Sequence, residues 1–157
     1  LDEPTAALTD IEVEGLFKIM RKLTSEGKSV IIIQFLKGKN ENELTFLSRL
    51  EPEIKIFRFA KSDECFEALS EEAKQEESMN LRNGFNYGKK VVTTGACDML
   101  ILDEVLGIVD EKVISPEEIC ELFAAKPEEM PLVCTGRVLD EKIREAADEV
   151  YNIAPEK

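Results

Sequence analysis

Asp98-Met99-Leu100-Ile101-Leu102-Asp103-Glu104 sets four consecutive apolar residues between acids, with two carboxylates at the downstream end. Such a run is too continuous for a strand with one wet face and predicts a strand buried on both faces of a parallel sheet. Its C-terminal tip then delivers Asp103 and Glu104 to the edge where open α/β sheets bind ligands. Two other segments have the same character. Lys28–Phe35, Lys-Ser-Val-Ile-Ile-Ile-Gln-Phe, is a β-branched run expected as a central parallel strand, and Pro131–Thr135, Pro-Leu-Val-Cys-Thr, is expected as another buried strand. Ile54–Phe59 alternates apolar and basic residues, which suits a shorter strand near an edge.

Helical patterns fill the intervals. Thr9-Asp10 offers an N-cap, and Val13, Leu16, Phe17, Ile19, Met20 and Leu23 recur at helical spacing toward Ser25, with Gly27 as the stop. Glu41–Leu50 suggests a short helix that Glu51-Pro52 ends. Ser62-Asp63 is expected to cap a helix running from Glu64 to about Val92, with an acidic interruption at Lys74–Glu77 and a break at Asn83-Gly84. A short helix through Val109 follows the central acidic strand. Ser115-Pro116-Glu117-Glu118 then starts a helix that runs to about Ala125, with Ser as cap and Pro in the first turn. Leu139–Ala147 reads as a helix and Glu149–Ile153 as a closing strand. Strand and helix alternate throughout, which predicts one three-layer α/β/α domain over residues 1–157 with a mainly parallel sheet.

Composition narrows the chemistry. The 157 residues carry 33 acidic and 20 basic side chains, a formal charge of −13, which disfavours nucleic acid or an anionic membrane surface as partner. No apolar run approaches the length of a membrane span, and the first residues are acidic, so the reading is a cytoplasmic protein. Cys65, Cys97, Cys120 and Cys134 form no C-x-x-C pair and are expected as reduced core thiols. With no histidine in the chain, Ser-His, Cys-His and His-metal chemistry are excluded. Catalysis would rest on carboxylates, Lys, Arg, backbone amides and a bound ion.

An acid-tipped strand of this kind holds Mg²⁺ in nucleotide enzymes, where it is paired with a phosphate loop, G-x-x-x-x-G-K-[ST]. The sequence contains no such loop. Gly27-Lys28-Ser29 matches its last letters but precedes a strand and has Lys22 at the first position, so it reads as a helix stop. Gly38-Lys39 follows a strand, but Asn40 comes next, leaving a weak anion-site candidate. Each candidate has a structural alternative. Asp103 either holds a metal or caps the next helix. Arg137 either binds phosphate or forms a surface ion pair with Asp140 or Glu141. Phe66, Phe85 and Tyr87 either fill the core or stack on a flat ligand.

From about Ser29 onward the chain resembles the P-loop-fold ATP:corrinoid adenosyltransferases. The matching stretches are Val30-Ile-Ile-Ile-Gln-Phe-Leu-Lys-Gly38, Asp98–Glu104, Ser115-Pro-Glu-Glu-Ile119, Leu132-Val-Cys-Thr-Gly-Arg137 and Ala146-Ala-Asp-Glu-Val150. The resemblance implies transfer of the 5′-deoxyadenosyl group of ATP to the cobalt of a reduced corrinoid, with Mg²⁺. It places Asp103 and Glu104 at the metal and triphosphate. Lys37, Gly38, Lys39, Thr135, Gly136 and Arg137 would line the nucleotide cleft, and Phe57, Phe59 and Phe66 would contact the corrin. A homodimer is compatible with it.

Members of that family begin with a strand and a Gly-Lys-Thr loop, which are absent here. Leu1–Ile33 instead resembles the sugar-importer branch of ABC transporter ATPases, in which Leu-Asp-Glu-Pro-Thr-Ala-Ala-Leu-Thr forms the Walker B strand end and D-loop. A chimera joined within the shared helix or the Val-Ile-Ile-Ile strand accounts for both likenesses. Three functions follow: a corrinoid adenosyltransferase with weak or lost activity, a non-catalytic chimeric or truncated domain, or an ABC ATPase fragment serving as a partner module.

Overall fold

The computed structural model describes residues 18, 20–36 and 53–156. Within them lie strands β1 (Val30–Gln34), β2 (Ile54–Arg58), β3 (Met99–Asp103) and β4 (Leu132–Cys134). Helices α1 (Glu71–Thr94), α2 (Val105–Asp110), α3 (Pro116–Ala125) and α4 (Glu141–Ala146) alternate with the later strands, and residues 20–25 are also helical. The strands form one parallel sheet in the order β2-β1-β3-β4. The α/β class and the central place of Val30–Gln34 are as the sequence predicts, and β2 stands at an edge of the described sheet. The expected helices upstream of Lys18 and over Glu41–Leu50 lie outside the described residues.

Side-chain alternation explains the double burial. Ile31 and Ile33 of β1 and Leu100 and Leu102 of β3 face one core, shared with Leu81 and Phe85 of α1, Ile108 of α2, Ile119 of α3 and Ile143 of α4. Val30, Ile32, Met99 and Ile101 face the other side, against Ile54, Met20 and Leu23. The sheet therefore has apolar rows on both faces, the condition under which a continuous Val/Ile/Leu strand is stable. The helix over residues 20–25 ends as predicted: Gly27 sits at φ 75°, its N–H donates to the Thr24 carbonyl, and the Lys28 N–H donates to Leu23. This is a Schellman closure, for which glycine is the favoured residue.

Several expectations are corrected. The long helix starts at Ser70, whose hydroxyl accepts from Ala73 N–H, whereas residues 62–65 are non-helical and Phe66–Ala68 form a single 3₁₀ turn. Ser70 is followed by Glu71 and Glu72, whose charges favour the positive end of the helix dipole. The helix then runs unbroken through Lys74–Glu77 and Gly84. Glu77 is buried, not solvated, because its carboxylate accepts from the backbone N–H groups of Lys61 (2.7 Å) and Ser62 (3.2 Å). Gly84 permits a close approach: a Cβ there would lie 2.9 Å from Phe59 Cδ2 and 3.1 Å from Phe35 Cε1.

The Glu149–Ile153 segment forms no strand and is exposed, Tyr151 at 79%. Leu132–Cys134 is half-buried along its length, not fully buried. Of the thiols, Cys97 is in the core, Cys120 and Cys134 are partly covered and Cys65 is exposed. Burial raises Cys97 above the usual thiol range and pushes the Cys134 thiol up to about 12.

The Ser115 start is a full capping box. Its hydroxyl accepts from Glu118 N–H, and the Glu118 carboxylate accepts from Ser115 N–H at 2.8 Å. Arg82 of α1 reaches the same carboxylate at 2.9 Å and donates to the Val113 carbonyl at 2.6 Å, fastening α1 to α3. The hydrogen bonds from Arg82 hold Glu118 below the usual carboxylate range.

Two stability effects follow. Gly84→Ala should destabilise the fold by about 1 kcal/mol or more, because overpacking between two phenylalanines outweighs the ~0.5–1 kcal/mol gained in helix propensity. Urea unfolding measures the sign, and a stabilised variant would show that the ring of Phe59 simply yields. Because the folded carboxylate of Glu118 is depressed, its pairing stabilises above about pH 4.3 and is lost as pH falls through the lowered value. Arg82→Met should therefore cost about 1 kcal/mol at neutral pH for this partly solvated pair. The gap to wild type should narrow in acid, leaving the lost bond to Val113. A gap that stays constant between pH 7 and 3 would remove Glu118 from the account.

Candidate functional site

β1 leads toward β2 on one side of the sheet and β3 toward β4 on the other, so a topological switch point opens between the C-terminal ends of β1 and β3. Open α/β sheets take their ligands at such a crevice. The register aligns Gln34 with Arg58 on β2 and with Asp103 on β3, and Thr135 follows β4 directly beside Asp103. These four residues share the parity of Val30, Ile32, Met99 and Ile101. The second face of the sheet is therefore apolar along its length and polar in its last row.

That row is hydrogen-bonded across its width. Arg58 Nε donates to Gln34 Oε1 at 2.7 Å, Gln34 Nε2 lies 3.5 Å from Asp103 Oδ2, and Thr135 Oγ1 donates to Asp103 Oδ1 at 2.9 Å. The Glu104 N–H in turn donates to Thr135 Oγ1 at 2.9 Å. Gln34 is only 3% exposed. An amide buried there without partners would cost several kcal/mol, on the order of 2 to 7. Asp103 is thus held from both sides by neutral donors, and it does not cap α2. The N-cap position is Glu104, whose side chain makes no capping bond.

Both strands at the switch point are followed by non-glycine residues in the left-handed region, Leu36 at φ 56° and Glu104 at φ 63°. Each costs about 1–2 kcal/mol relative to ordinary backbone. The turn at Glu104 sends the chain straight into α2, whose Gly107 leaves room for Leu36: a Cβ on Gly107 would lie 2.6 Å from Leu36 Cδ1. Gly136 is similarly constrained, since a Cβ there would meet Leu106 Cβ at 2.4 Å and its Cα at 3.2 Å. Leu106 N–H donates to the Thr135 carbonyl at 3.1 Å, so the β4 tip and the start of α2 form one wall beside Asp103.

Asp103, Glu104, Thr135 and Gly136 are brought together. Arg137 is exposed on the same loop, and among the described residues it forms no ion pair, so of the two readings open to it the surface pair with Asp140 or Glu141 is not formed. Asp140 instead caps α4, its carboxylate accepting from Lys142 N–H. Phe57 and Phe59 lie against the opposite face of the sheet from the polar row, packed on Tyr87 of α1 with ring centroids 4.9 and 5.8 Å apart. Phe66 is half-buried against that same core, and Phe85 is fully buried in it, the packing role of the two readings open to it. Lys37, Gly38 and Lys39 lie outside the described residues. Sequence reasoning missed Gln34 and Arg58 as members of the site. The signal for Gln34 was a lone amide closing a strand of pure Val and Ile, and for Arg58 its place at the end of the neighbouring strand.

At the opposite end of the strands, Asp98 accepts from the Ser29 N–H at 2.8 Å and so belongs to the scaffold. The three acids of the 98–104 segment thus divide between one end of β3 that pins it to β1 and one end that faces the crevice.

A family model described as ATP:corrinoid adenosyltransferase BtuR/CobO/CobP matches residues 15–157. Corrinoid adenosyltransferase CobA of Salmonella typhimurium is 28% identical over 141 residues, covering 90% of this chain and 69% of that protein. The corrinoid adenosyltransferase of Escherichia coli K12 is 26% identical over the same length and shares of each chain. Over a much shorter stretch, the ribose import ATP-binding protein RbsA of a Ruegeria species is 64% identical across 33 residues, 21% of this chain and 6% of its own. The parallel sheet, the acid-tipped β3 and the match over nearly the whole chain agree: this chain belongs to the ATP:corrinoid adenosyltransferase BtuR/CobO/CobP family.

Proposed function

We propose that the crevice between β1 and β3 is the nucleotide site of a corrinoid adenosyltransferase, which moves the 5′-deoxyadenosyl group of ATP to the cobalt of a reduced corrinoid. The observation that carries this reading is Asp103, a carboxylate at the tip of the central strand, anchored by Thr135 at the switch point. Such a transfer breaks the C5′–O bond and leaves negative charge on the triphosphate. Mg²⁺ bound there would neutralise part of that charge. Asp103 and Glu104 suit it as oxygen ligands, since Mg²⁺ takes one or two carboxylates and completes its shell with water and phosphate.

Arg137, exposed on the loop after β4, is the cation we assign to the phosphate oxygens, with Thr135 supplying a hydroxyl and Gly136 letting that loop pack against Leu106. Lys37, Gly38 and Lys39, next in sequence after Leu36, are assigned to the same nucleotide cleft by the family resemblance. Phe57, Phe59 and Phe66 remain the aromatic candidates for the corrin, on the α1 side of the same sheet end. We read residues 1–157 as one cytoplasmic domain, with which a homodimer is compatible. Among the described residues no helix is long and apolar enough to cross a membrane.

These 157 residues contain no G-x-x-x-x-G-K-[ST] segment. Each charge-assisted bond of a phosphate loop contributes about 1.5–3 kcal/mol, so several missing ones weaken ATP by orders of magnitude. We therefore infer weak or lost transferase activity for the chain as given. The high identity of a short stretch to a ribose importer ATPase favours a second reading, in which Leu1–Ile33 derives from such an ATPase and is joined to an adenosyltransferase-like segment over residues 29–157. On that reading the product is a non-catalytic chimeric domain, or the ATPase-like segment serves as a partner module.

Calorimetric titration with MgATP separates these readings. Binding by the wild-type chain that weakens tenfold or more in Asp103→Asn, about 1.4 kcal/mol, with an unchanged thermal midpoint, is the expected result for an acid that holds metal. No heat at millimolar ATP would leave a family member without nucleotide function in this form. Equal binding by the variant would move the metal away from β3.

A further inference from the structure

We infer that Arg58 and Gln34 are positioning residues for Asp103, forming with Thr135 a polar chain across the sheet that fixes the orientation of the carboxylate. The inference rests on the reading of Asp103 as the acid of the nucleotide site and adds two residues to it. Gln34 is fully buried at the end of an otherwise aliphatic strand, where an amide is retained only if both of its ends are used. Its orientation is decided by its neighbour. Arg58 has only N–H donors to offer, so the side-chain oxygen of Gln34 must face Arg58 Nε at 2.7 Å. The amide nitrogen is then turned toward Asp103 Oδ2, with the contact at 3.5 Å. That distance is at the outer limit of a hydrogen bond.

Thr135 holds the other carboxylate oxygen at 2.9 Å, so rotation about the Asp103 side chain is opposed on both sides. The chain ends at Glu104, whose N–H donates to the same threonine hydroxyl. A positive group on β2 is thereby connected through an oriented amide to the acid on β3 and to the backbone of the residue that follows it. Hydrogen bonds in series polarise one another, so replacing the first member alters the last.

The test uses the 157-residue chain with Arg58→Met, Gln34→Met, the double variant and Arg58→Lys. In the free protein, the amide resonance of Glu104 should shift in Arg58→Met and Gln34→Met and stay near its wild-type position in Arg58→Lys, which keeps a donor for Gln34. MgATP affinity should fall by roughly five- to tenfold in either single methionine variant, the loss of about one hydrogen bond. The double variant should be no weaker than the singles, because the two residues act in series. Metal-free ATP should bind all variants alike, which a general loss of structure would not allow. An unmoved Glu104 amide in Arg58→Met, or single losses that multiply in the double variant, would overturn the inference. If the wild-type chain gives no heat with MgATP, the nucleotide reading falls, and the Glu104 amide still decides whether the chain exists.

Discussion

Burial of β1 and β3 on both faces is the constraint on which the rest depends. A strand that is paired on both sides and covered on both faces has no wet surface along Ile31–Ile33 or Leu100–Leu102, so any polar side chain must appear at its ends. The ends differ in what they do. Asp98 binds the start of β1 through backbone, while Gln34, Asp103 and Thr135 gather at the other end. The same double burial that makes the strands legible as hydrophobic runs concentrates the chemistry at one edge.

The two faces at that edge are unequal. On the α1 side the apolar rows continue through Phe35, Phe57 and Phe59 and are sealed by Gly84 and Gly88, which let the helix approach the sheet. On the other side the row that begins with Ile54, Val30 and Met99 ends in Arg58, Gln34 and Asp103. One register step thus separates a packed aromatic layer from an acid. A one-residue slip of β3 would turn Asp103 into the α1-side core and Leu102 out of it, which is why the long apolar run and its partners specify the site as strongly as they specify the fold.

Much of this was readable from residues alone, and the misses have physical causes. The runs Val30–Ile33 and Leu100–Leu102, the capping box at Ser115 and the stop at Gly27 are local signals that tertiary context reinforces. Gly84 was misread as a break because helix propensity is local, whereas the need for space against Phe59 and Phe35 is not. Glu77 read as part of an acidic interruption of the helix, but two backbone N–H groups from the loop after β2 offset its burial and the helix continues through it. Glu149–Ile153 has the composition of a strand, yet pairing needs a neighbouring edge that alternation cannot reveal. Arg58 and Gln34 escaped notice for a related reason: their partnership spans strands 24 residues apart, and only the register brings them into line.

The geometry also separates folding from ligand affinity. The named donors that hold Asp103 come from β1 and β4, elements stabilised by apolar burial that owes nothing to nucleotide. Phosphate affinity, in contrast, is the sum of individual charge-assisted bonds, each removable without disturbing the rows beneath. A chain can therefore keep the acid, its threonine and its oriented glutamine in place as a consequence of the sheet while binding triphosphate only as well as its remaining cationic and backbone donors permit. Inheritance of the fold and inheritance of the activity are for that reason independent here, and the polar row belongs energetically to the first while being useful only to the second.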